Sequence, residues 1–507
     1  MSTIDKYCWC LYLLAGRLPV RYGLVRGHIY DHDVLFSLAS EAGLPLEETT
    51  IAEALKHRGY ATAMFGKWHL GIGSNGRFLP VNRGFDSWLG TLVSHGRSCV
   101  ANIPSLLHLG KLIYFYLTSK VIWNCLLIII LVPVPFRLYT RMSFLVTIVC
   151  FLIAFLVSYV MAAKFTLLGK PSCVFFRDKD ILAQQYDANL YDNFTLLYTK
   201  ESLDFIDRSH QKQSPFFLYV AFNKLHPPVS PSYSFKGSSN MGPYQDSLIE
   251  IDWSVGKIVN RLQQNGIDNE TVVIFISDNG PQIYGPAFKD MAPPNQRGSA
   301  GAVSNNKGQI IRLRGSKMSN WEGGIRVPGI IRWPGKLPQN STIKEVTSIM
   351  DIMPTILEIV GLPLNITNSP MDGKSLLRFA SNVHANSQHK ALFHYCEMSG
   401  PSAVTYGQYK LHVATSGDRG CGKNTLQTPL LYDIHEDPGE TTPLCVNKYN
   451  HVVQEILHEI TKHQRGRDDS GWSQFDMPMW PWLFPCANFP SCKRDFIEKM
   501  NFDDVLS

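Results

Sequence analysis

Hydrophobic positions along the chain change their period in a regular way. Residues 49–71 read as a helix (Thr49–Arg58), a break at Gly59, a short apolar strand (Tyr60–Phe65) and the loop Gly66-Lys67-Trp68-His69-Leu70-Gly71. Further on, a helix over Phe194–Arg208 precedes Pro215–Phe222, a continuous apolar run of the kind that forms a strand buried on both faces. Gln245–Gln264 sets Leu248, Ile251, Val255, Ile258, Val259 and Leu262 on one stripe, stops at Asn265-Gly266 and gives way to the strand Thr271–Ile276. This alternation predicts an α/β domain with a mostly parallel central sheet and helices on both faces. After about residue 390 the runs shorten to Ala391–Tyr395, Tyr409–Ala414 and Leu430–Ile434, which predicts a small antiparallel sheet closed by a helix over His451–Lys462.

One stretch follows neither rhythm. Met142–Ala163 holds no charge and, as a helix, would extend roughly 33 Å against a hydrocarbon core of ~30 Å. Leu112–Val134 is nearly as apolar but contains Lys120 and Asn124, and Pro133-Val134-Pro135 with Arg137 and Arg141 separates the two. The pattern predicts a transmembrane helical hairpin, embedded in a lipid bilayer through 112–163, with a basic cytosolic tip and both long flanks lumenal. A helical pair buried in the soluble core is the other reading.

Composition changes this picture in two respects. With 507 residues, 45% hydrophobic and 18% charged, the chain is too apolar to be disordered and long enough for two to three structural units. The net charge of +6 would suggest a nucleic-acid partner. However, residues 101–170 contain six basic residues and no acidic one, which leaves 42 basic against 42 acidic elsewhere, so no nucleic acid is expected. The excess belongs to the greasy segment.

Four acceptor sequons at Asn193, Asn269, Asn340 and Asn365 lie on the C-terminal flank. The cysteine placements suit disulfides, with Cys99–Cys173 and Cys486–Cys492 as candidate pairs, better than metal sites. Together they predict a glycosylated protein of the secretory-pathway membrane, first of all the endoplasmic reticulum, with lysosome or Golgi as alternatives. Cys8–Ala15 is too short for a cleavable signal, so the hairpin would serve for targeting unless a longer beginning exists.

In an open α/β sheet, ligands sit beyond the carboxyl ends of strands. Three apolar runs end in polar residues: Lys67 and His69 after the first, Asn223, Lys224 and His226 after the second, Ser277, Asp278 and Asn279 after the third. Asp278 and Asn279 offer hard oxygen donors for Ca²⁺ or Mg²⁺, although Asp-Asn-Gly also makes a plain turn. Two lysines and two histidines near such a carboxylate would suit a tetrahedral oxyanion such as sulfate or phosphate.

Gly66-Lys67-Trp68-His69-Leu70-Gly71 resembles the second sulfatase signature. The resemblance continues in order through Gly16-Arg17-Leu18-Pro19-Val20-Arg21, Leu225-His226-Pro227, Ser277-Asp278-Asn279-Gly280, Lys317 with Asn320-Trp321-Glu322-Gly323-Gly324-Ile325-Arg326-Val327-Pro328, and Leu431-Tyr432-Asp433 with Asp437-Pro438. A hairpin inserted after the signature is similar to the steroid sulfatase and arylsulfatase D, E, F and H group. The resemblance implies an alkaline-phosphatase-like sulfatase sandwich divided as 1–101, the hairpin 102–164, 165–390 and a C-terminal subdomain 391–507. It implies calcium-assisted hydrolysis of an aryl or steroid-like sulfate ester through a formylglycine made from cysteine. Asp278 and Asn279 would ligate Ca²⁺; Lys67, Lys317 and His226 would bind sulfate; His226 would protonate the leaving oxygen and His69 would support the nucleophile.

The sequence departs from the family at its start. Where Cys-x-Pro-Ser-Arg should stand, the register before Gly16-Arg17 holds Lys6-Tyr7-Cys8-Trp9-Cys10, and nothing before residue 6 supplies the family's opening strand with its paired Asp ligands. The expectation is therefore a lumenal, membrane-anchored, calcium-dependent arylsulfatase whose reference form carries that segment, or else a non-catalytic sulfatase-like chain lacking the formylglycine cysteine and the paired Asp ligands. As written, the chain would turn over aryl sulfates poorly, and its central sheet would have a gap.

Overall fold

A computed structural model of the chain describes residues 13–23, 41–92, 174–184, 188–227, 229–283, 301–397, 400–415, 424–465, 474 and 506. The first long element is helix α1 (Ile51–Lys56), opened by a capping box: Glu53 N–H donates to Thr50 Oγ1 at 3.1 Å and Thr50 N–H to Glu53 Oε2 at 2.7 Å. It leads into β1 (Ala61–Gly66), the strand on which the main sheet is organised. β2 (Ser87–Thr91) and β5 (Phe216–Ala221) flank β1, both parallel to it, with Ala61 opposite Phe216 and Gly66 opposite Ala221. Outside β2 lies an antiparallel hairpin of β3 (Val174–Arg177) and β4 (Asp180–Gln184), which gives the order β4-β3-β2-β1-β5.

This sheet is mixed, where the alternation had predicted a mostly parallel one. The third apolar run, β6 (Val273–Ile276), does not join it. β6 pairs antiparallel with β9 (Gly329–Arg332) in a separate two-stranded sheet, and β7 (Ala302–Ser304) with β8 (Ile310–Arg312) forms another. Even so, β5 and β6 share a core face. Phe217, Tyr219 and Ala221 of β5 and Ile274 and Ile276 of β6 pack on the same cluster, which contains Ile51 and Leu55 of α1 and Ile352, Met353 and Leu357 of α4 (Ile352–Ile359). The opposite face of β5, with Phe216, Leu218 and Val220, packs with α2 (Phe194–Gln211) through Phe194, Leu197, Tyr198 and Phe205. The long helix α3 (Pro243–Gln264) lies against α2.

The C-terminal part is a four-stranded antiparallel meander of β10 (Leu392–Glu397), β11 (Gly400–Tyr406), β12 (Tyr409–Thr415) and β13 (Asn424–Asp433). Helix α5 (Asn450–Arg465) covers it, placing Val452, Val453, Ile456 and Ile460 on Val404, Leu411 and Leu431. A buried network joins this sheet to the rest. Lys410 Nζ bonds Glu322 Oε1 at 2.9 Å and lies 3.2 Å from Glu440 Oε1, while His412 Nε2 lies 2.7 Å from Glu440 Oε1. Glu440 Oε2 accepts from Glu322 N–H at 2.6 Å.

The expected fold class needs one correction. No helix among the described residues is long and apolar enough to cross a membrane, so the architecture of the described residues is the α/β sandwich with its C-terminal sheet, without the inserted transmembrane hairpin. The stretch 112–163, whose composition alone had suggested the span, lies outside the described residues, as do Cys99, Cys173, Cys486 and Cys492.

Candidate active site

The signature loop after β1 is set by a close backbone approach. Gly66 has φ of +122°, and a Cβ there would lie 1.9 Å from the Ala221 carbonyl oxygen, so no other residue fits where β1 and β5 end together. Lys67 N–H then donates to that same carbonyl at 2.9 Å. Trp68 turns into the core, fully buried, with its indole N–H on the Phe78 carbonyl at 2.8 Å. Anchoring Trp68 inward leaves its neighbours Lys67 and His69 to line the cavity beyond the strand ends. His69 holds φ of +61°, a left-handed conformation costly for a residue with a Cβ, fixed by its N–H bond to Leu92 O at 2.7 Å.

After β6 the chain docks on the loop that opens at Trp321. Gly280 N–H donates to Gly324 O at 3.0 Å, and a Cβ on Gly280 would lie 2.0 Å from Gly323 O. Lys317 N–H donates to Pro281 O at 2.8 Å. Asp278-Asn279-Gly280 is thus a docked loop, not a hairpin turn. It lies beside Lys317, close enough for the Asp278 charge to act on that ammonium.

All six residues singled out from the sequence, Lys67, His69, His226, Asp278, Asn279 and Lys317, line one cavity of 1390 Å³. Two others from the strand ends are committed elsewhere. Asn223 accepts from Tyr198 Oη at 2.8 Å and donates to Thr91 Oγ1 at 2.9 Å. Lys224 is held by Glu250 at 2.7 Å and by the Asp192 and Ser230 carbonyls. Arg326 also lines the cavity, 3.6 Å from Glu322 Oε2, as does Tyr244 at the start of α3. Arg326 stood inside a quoted motif without being singled out. Tyr244 carries no sequence signal, since only the fold brings the first turn of α3 there.

The electrostatics of the cavity are unbalanced. Burial, with Lys67 and Lys317 adding to it, holds the His69 imidazole well below its ordinary value, so the ring is neutral at neutral pH. Its Nε2 is buried without a hydrogen-bond partner among the described residues. Burial also lowers the Lys317 ammonium, Asp278 opposes this, and Lys67 adds to it. Asn279 donates to Gly280 O at 3.0 Å, but its Oδ1 is buried and unpartnered. His226 Nδ1 lies 2.8 Å from Pro227 O, which fixes Nδ1 as the protonated nitrogen. The arrangement is a pocket of cations and neutral imidazole with room for an anion.

Its fit to a metal is incomplete. The unpartnered Asn279 Oδ1 and the Asp278 carboxylate supply at most three oxygen donors, where calcium takes about six to eight. Among the described residues no group of three or more His, Cys, Asp or Glu side chains gathers as a metal would require. The described residues therefore do not by themselves make a calcium site.

Three of the four sequon asparagines, Asn269, Asn340 and Asn365, are exposed, and Asn193 at the start of α2 is half-buried. Cys396 is disulfide-bonded to a cysteine outside the described residues, whereas Cys445 is free. Sequence reasoning had not singled out Cys396.

Comparison with known proteins places this geometry. Residues 12–362 match the family model described as Sulfatase, and residues 387–494 match that of the C-terminal region of aryl-sulfatase. Arylsulfatase H of Canis lupus familiaris is 32% identical over 97% of this chain and 88% of that protein. Steryl-sulfatase of Homo sapiens is 29% identical over 94% of this chain and 82% of its own length. The crystal structure of the PsFucS1 sulfatase from Pseudoalteromonas sp. superposes with a TM-score of 0.69 at 20% identity, covering 94% of this chain and 83% of that one, which shows a shared fold.

Proposed function

The chain belongs to the sulfatase family, and from that premise we propose that it hydrolyses sulfuric esters of aryl or steroid-like alcohols in the cavity beyond β1, β5 and β6. The observation that carries this reading is the convergence of Lys67, Lys317, His69 and His226 on one cavity, although 250 positions separate the first two. Hydrolysis adds water across the S–O bond: an oxygen nucleophile attacks sulfur, the ester oxygen departs as an alcohol and takes up a proton. Lys67 and Lys317 would bind the sulfate oxygens, where charge builds up in the transition state. With Nδ1–H held by Pro227 O, His226 in its imidazolium form, protonated on both ring nitrogens, would give its Nε2 proton to the leaving oxygen. The neutral His69 would accept a proton from the attacking oxygen. In sulfatases a formylglycine supplies the nucleophile; Cys8 and Cys10, the only cysteines near that register, lie outside the described residues.

A calcium requirement would need oxygen donors beyond Asp278 and Asn279. The exposed sequons and the oxidised Cys396 favour an oxidising, glycosylating compartment, with the endoplasmic reticulum first.

A second reading, a sulfatase-like chain without catalysis, draws on the Lys6-Tyr7-Cys8-Trp9-Cys10 register. Turnover of 4-nitrophenyl sulfate by the purified, folded chain separates the two. Release of nitrophenol that falls about 100-fold or more in His226→Asn supports hydrolysis at this site. A folded chain that releases none supports the second reading.

A further inference from the structure

The loop that carries His226 is tied down on both sides of that residue. β5 ends at Ala221, and Asn223 beyond it accepts from Tyr198 Oη of α2 at 2.8 Å and donates to Thr91 Oγ1 at the end of β2 at 2.9 Å. Lys224 follows, and its ammonium directs its three protons to three different segments: Asp192 O before α2 at 2.7 Å, Ser230 O on the far side of the loop at 2.8 Å, and Glu250 Oε2 of α3 at 2.7 Å. The same Glu250 oxygen accepts from Ser232 N–H at 3.0 Å. One ammonium–carboxylate contact therefore closes the neck of the loop, with Lys224 on its entering limb and Ser230 and Ser232 on its returning one.

Two features indicate that this pair sets geometry more than stability. Leu225, between the anchor and His226, holds φ of +74°, a left-handed conformation that a residue with a Cβ keeps only where its surroundings impose it. The pair is also a poor way to fasten two segments: both side chains are buried, yet Glu250 Oε1 and Ser232 Oγ have no hydrogen-bond partner among the described residues. Apolar side chains of similar volume would hold the segments about as well, so what the charges add is direction. His226 depends on direction. Its Nδ1 lies 2.8 Å from the carbonyl of the adjacent Pro227, a contact that only a narrow range of loop conformations allows, and that contact makes Nε2 the nitrogen that meets the leaving oxygen. Lys224 lines the same cavity as Lys67 and Lys317, but with all three protons engaged it is not a further ligand for sulfate.

We propose that Lys224 and Glu250 are positioning residues for His226: their buried contact holds the loop in the strained form that fixes the tautomer of the imidazole and aims Nε2 at the ester oxygen. This inference rests on the reading of His226 as the proton donor. The pair touches neither sulfate nor leaving group and acts only through the backbone of the loop, so its loss should slow proton transfer and leave binding of the sulfate to Lys67 and Lys317 in place.

The variant Lys224→Met/Glu250→Gln removes both charges together and keeps an acceptor for Ser232 N–H, so no buried charge is left unpaired. Two measurements on the purified full chain read it. In heteronuclear NMR of histidine-labelled protein, with His226 assigned by its loss in His226→Asn, the neutral His226 ring is expected to change from the Nδ1–H form to a mixture of tautomers. His389 and His412, each held by a carboxylate, should keep their signals. In turnover, kcat is expected to fall about tenfold or more with KM little changed, and to fall further for phenyl sulfate than for 4-nitrophenyl sulfate, because the poorer leaving group depends more on its acid. A parent chain that turns over neither ester refutes the reading of His226 as the acid, and the tautomer of the ring then decides the positioning by itself. An unchanged His226 ring in the folded variant overturns the proposal. So does an equal change at His226, His389 and His412, which would make the pair a general support of the fold. If the double variant does not fold, Glu250→Gln alone, which keeps Lys224 and the Ser232 bond, is read against the same outcomes.

Discussion

Two clusters of buried charge, one at each end of the Asn320–Gly324 loop's neighbourhood, are built on opposite terms. At the junction with the C-terminal sheet, Lys410 and Glu440 are fully buried and every charge meets an opposite one: Lys410 with Glu322 and Glu440, His412 with Glu440. Arg314 covers Trp321 at 3.9 Å, and Trp321 in turn lies 4.1 Å from His412. In the cavity beyond β1 and β6, Lys67 and Lys317 repel one another, Asp278 is the carboxylate that offsets Lys317, and among the described residues His69 Nε2 and Asn279 Oδ1 are left without partners. Both places pay for burying charge. The first recovers the cost at once in ion pairs, so it serves architecture. The second leaves the cost standing until an anion enters, which is what a binding site requires.

The largest test of this contrast is Lys410→Met. It leaves Glu322 and Glu440 buried together without their shared cation, and removing one partner of a buried pair typically costs about 3–5 kcal/mol. Urea unfolding should show the midpoint falling accordingly, with Lys410→Met/Glu440→Gln recovering part of the loss. A change below about 1 kcal/mol would mean that the network is not the joint between the two parts.

Lys317→Met should do the reverse. It removes a half-buried ammonium that burial and Lys67 disfavour, so stability should stay within about 0.5 kcal/mol of the parent chain or rise. Any sulfate-ester turnover should fall about 100-fold, or roughly 2.7 kcal/mol in the transition state. If Lys317→Met unfolds the chain as readily as Lys410→Met, the cavity cations are structural and the contrast fails.

The two clusters were not equally legible in the sequence. Lys67, His69, His226, Asp278 and Asn279 could be read because each follows an apolar run, and strand ends are where an α/β sheet puts its ligands, whereas Lys317 came only from the resemblance; β1, β5, β6, α2 and α3 fell within a few residues of their periodic patterns. Lys410 and His412 on β12, and Glu440 in the loop after β13, could not be read, because a charge on a short strand or in a loop normally faces water and only the packing of β12 on the Glu322 loop buries these. β3 and β4 were missed because Val174–Arg177 and Asp180–Gln184 are too short for a period to show. The partners of β6 were missed for a different reason. Composition shows that a strand is apolar on both faces, but not which strand lies beside it, and the pairing with β9 depends on a contact across more than fifty residues.

The smallest expected effect is on pH dependence. Burial, then Lys67 and Lys317, lowers the pKa of His69 from its ordinary 6.5, so on acidification the unfolded chain takes up that proton before the folded one does. Below about pH 6.5 the unfolded state therefore binds more protons and stability falls with pH, by at most ~1.4 kcal/mol per pH unit for this ring, until the folded ring itself is protonated. Above that pH both states carry it neutral and it contributes no slope. His69→Gln should flatten the dependence of unfolding free energy between pH 6.5 and 5.5 by up to that amount and leave stability at pH 7.5 little changed. His412 is also lowered by burial, but Glu440 opposes the shift through a 2.7 Å contact, so His412→Gln should lower stability at pH 7.5 as well as change the slope. Equal behaviour of the two variants at pH 7.5 would show that His69 has a partner as binding as Glu440, and the cavity could then no longer be read as a site left open for an anion.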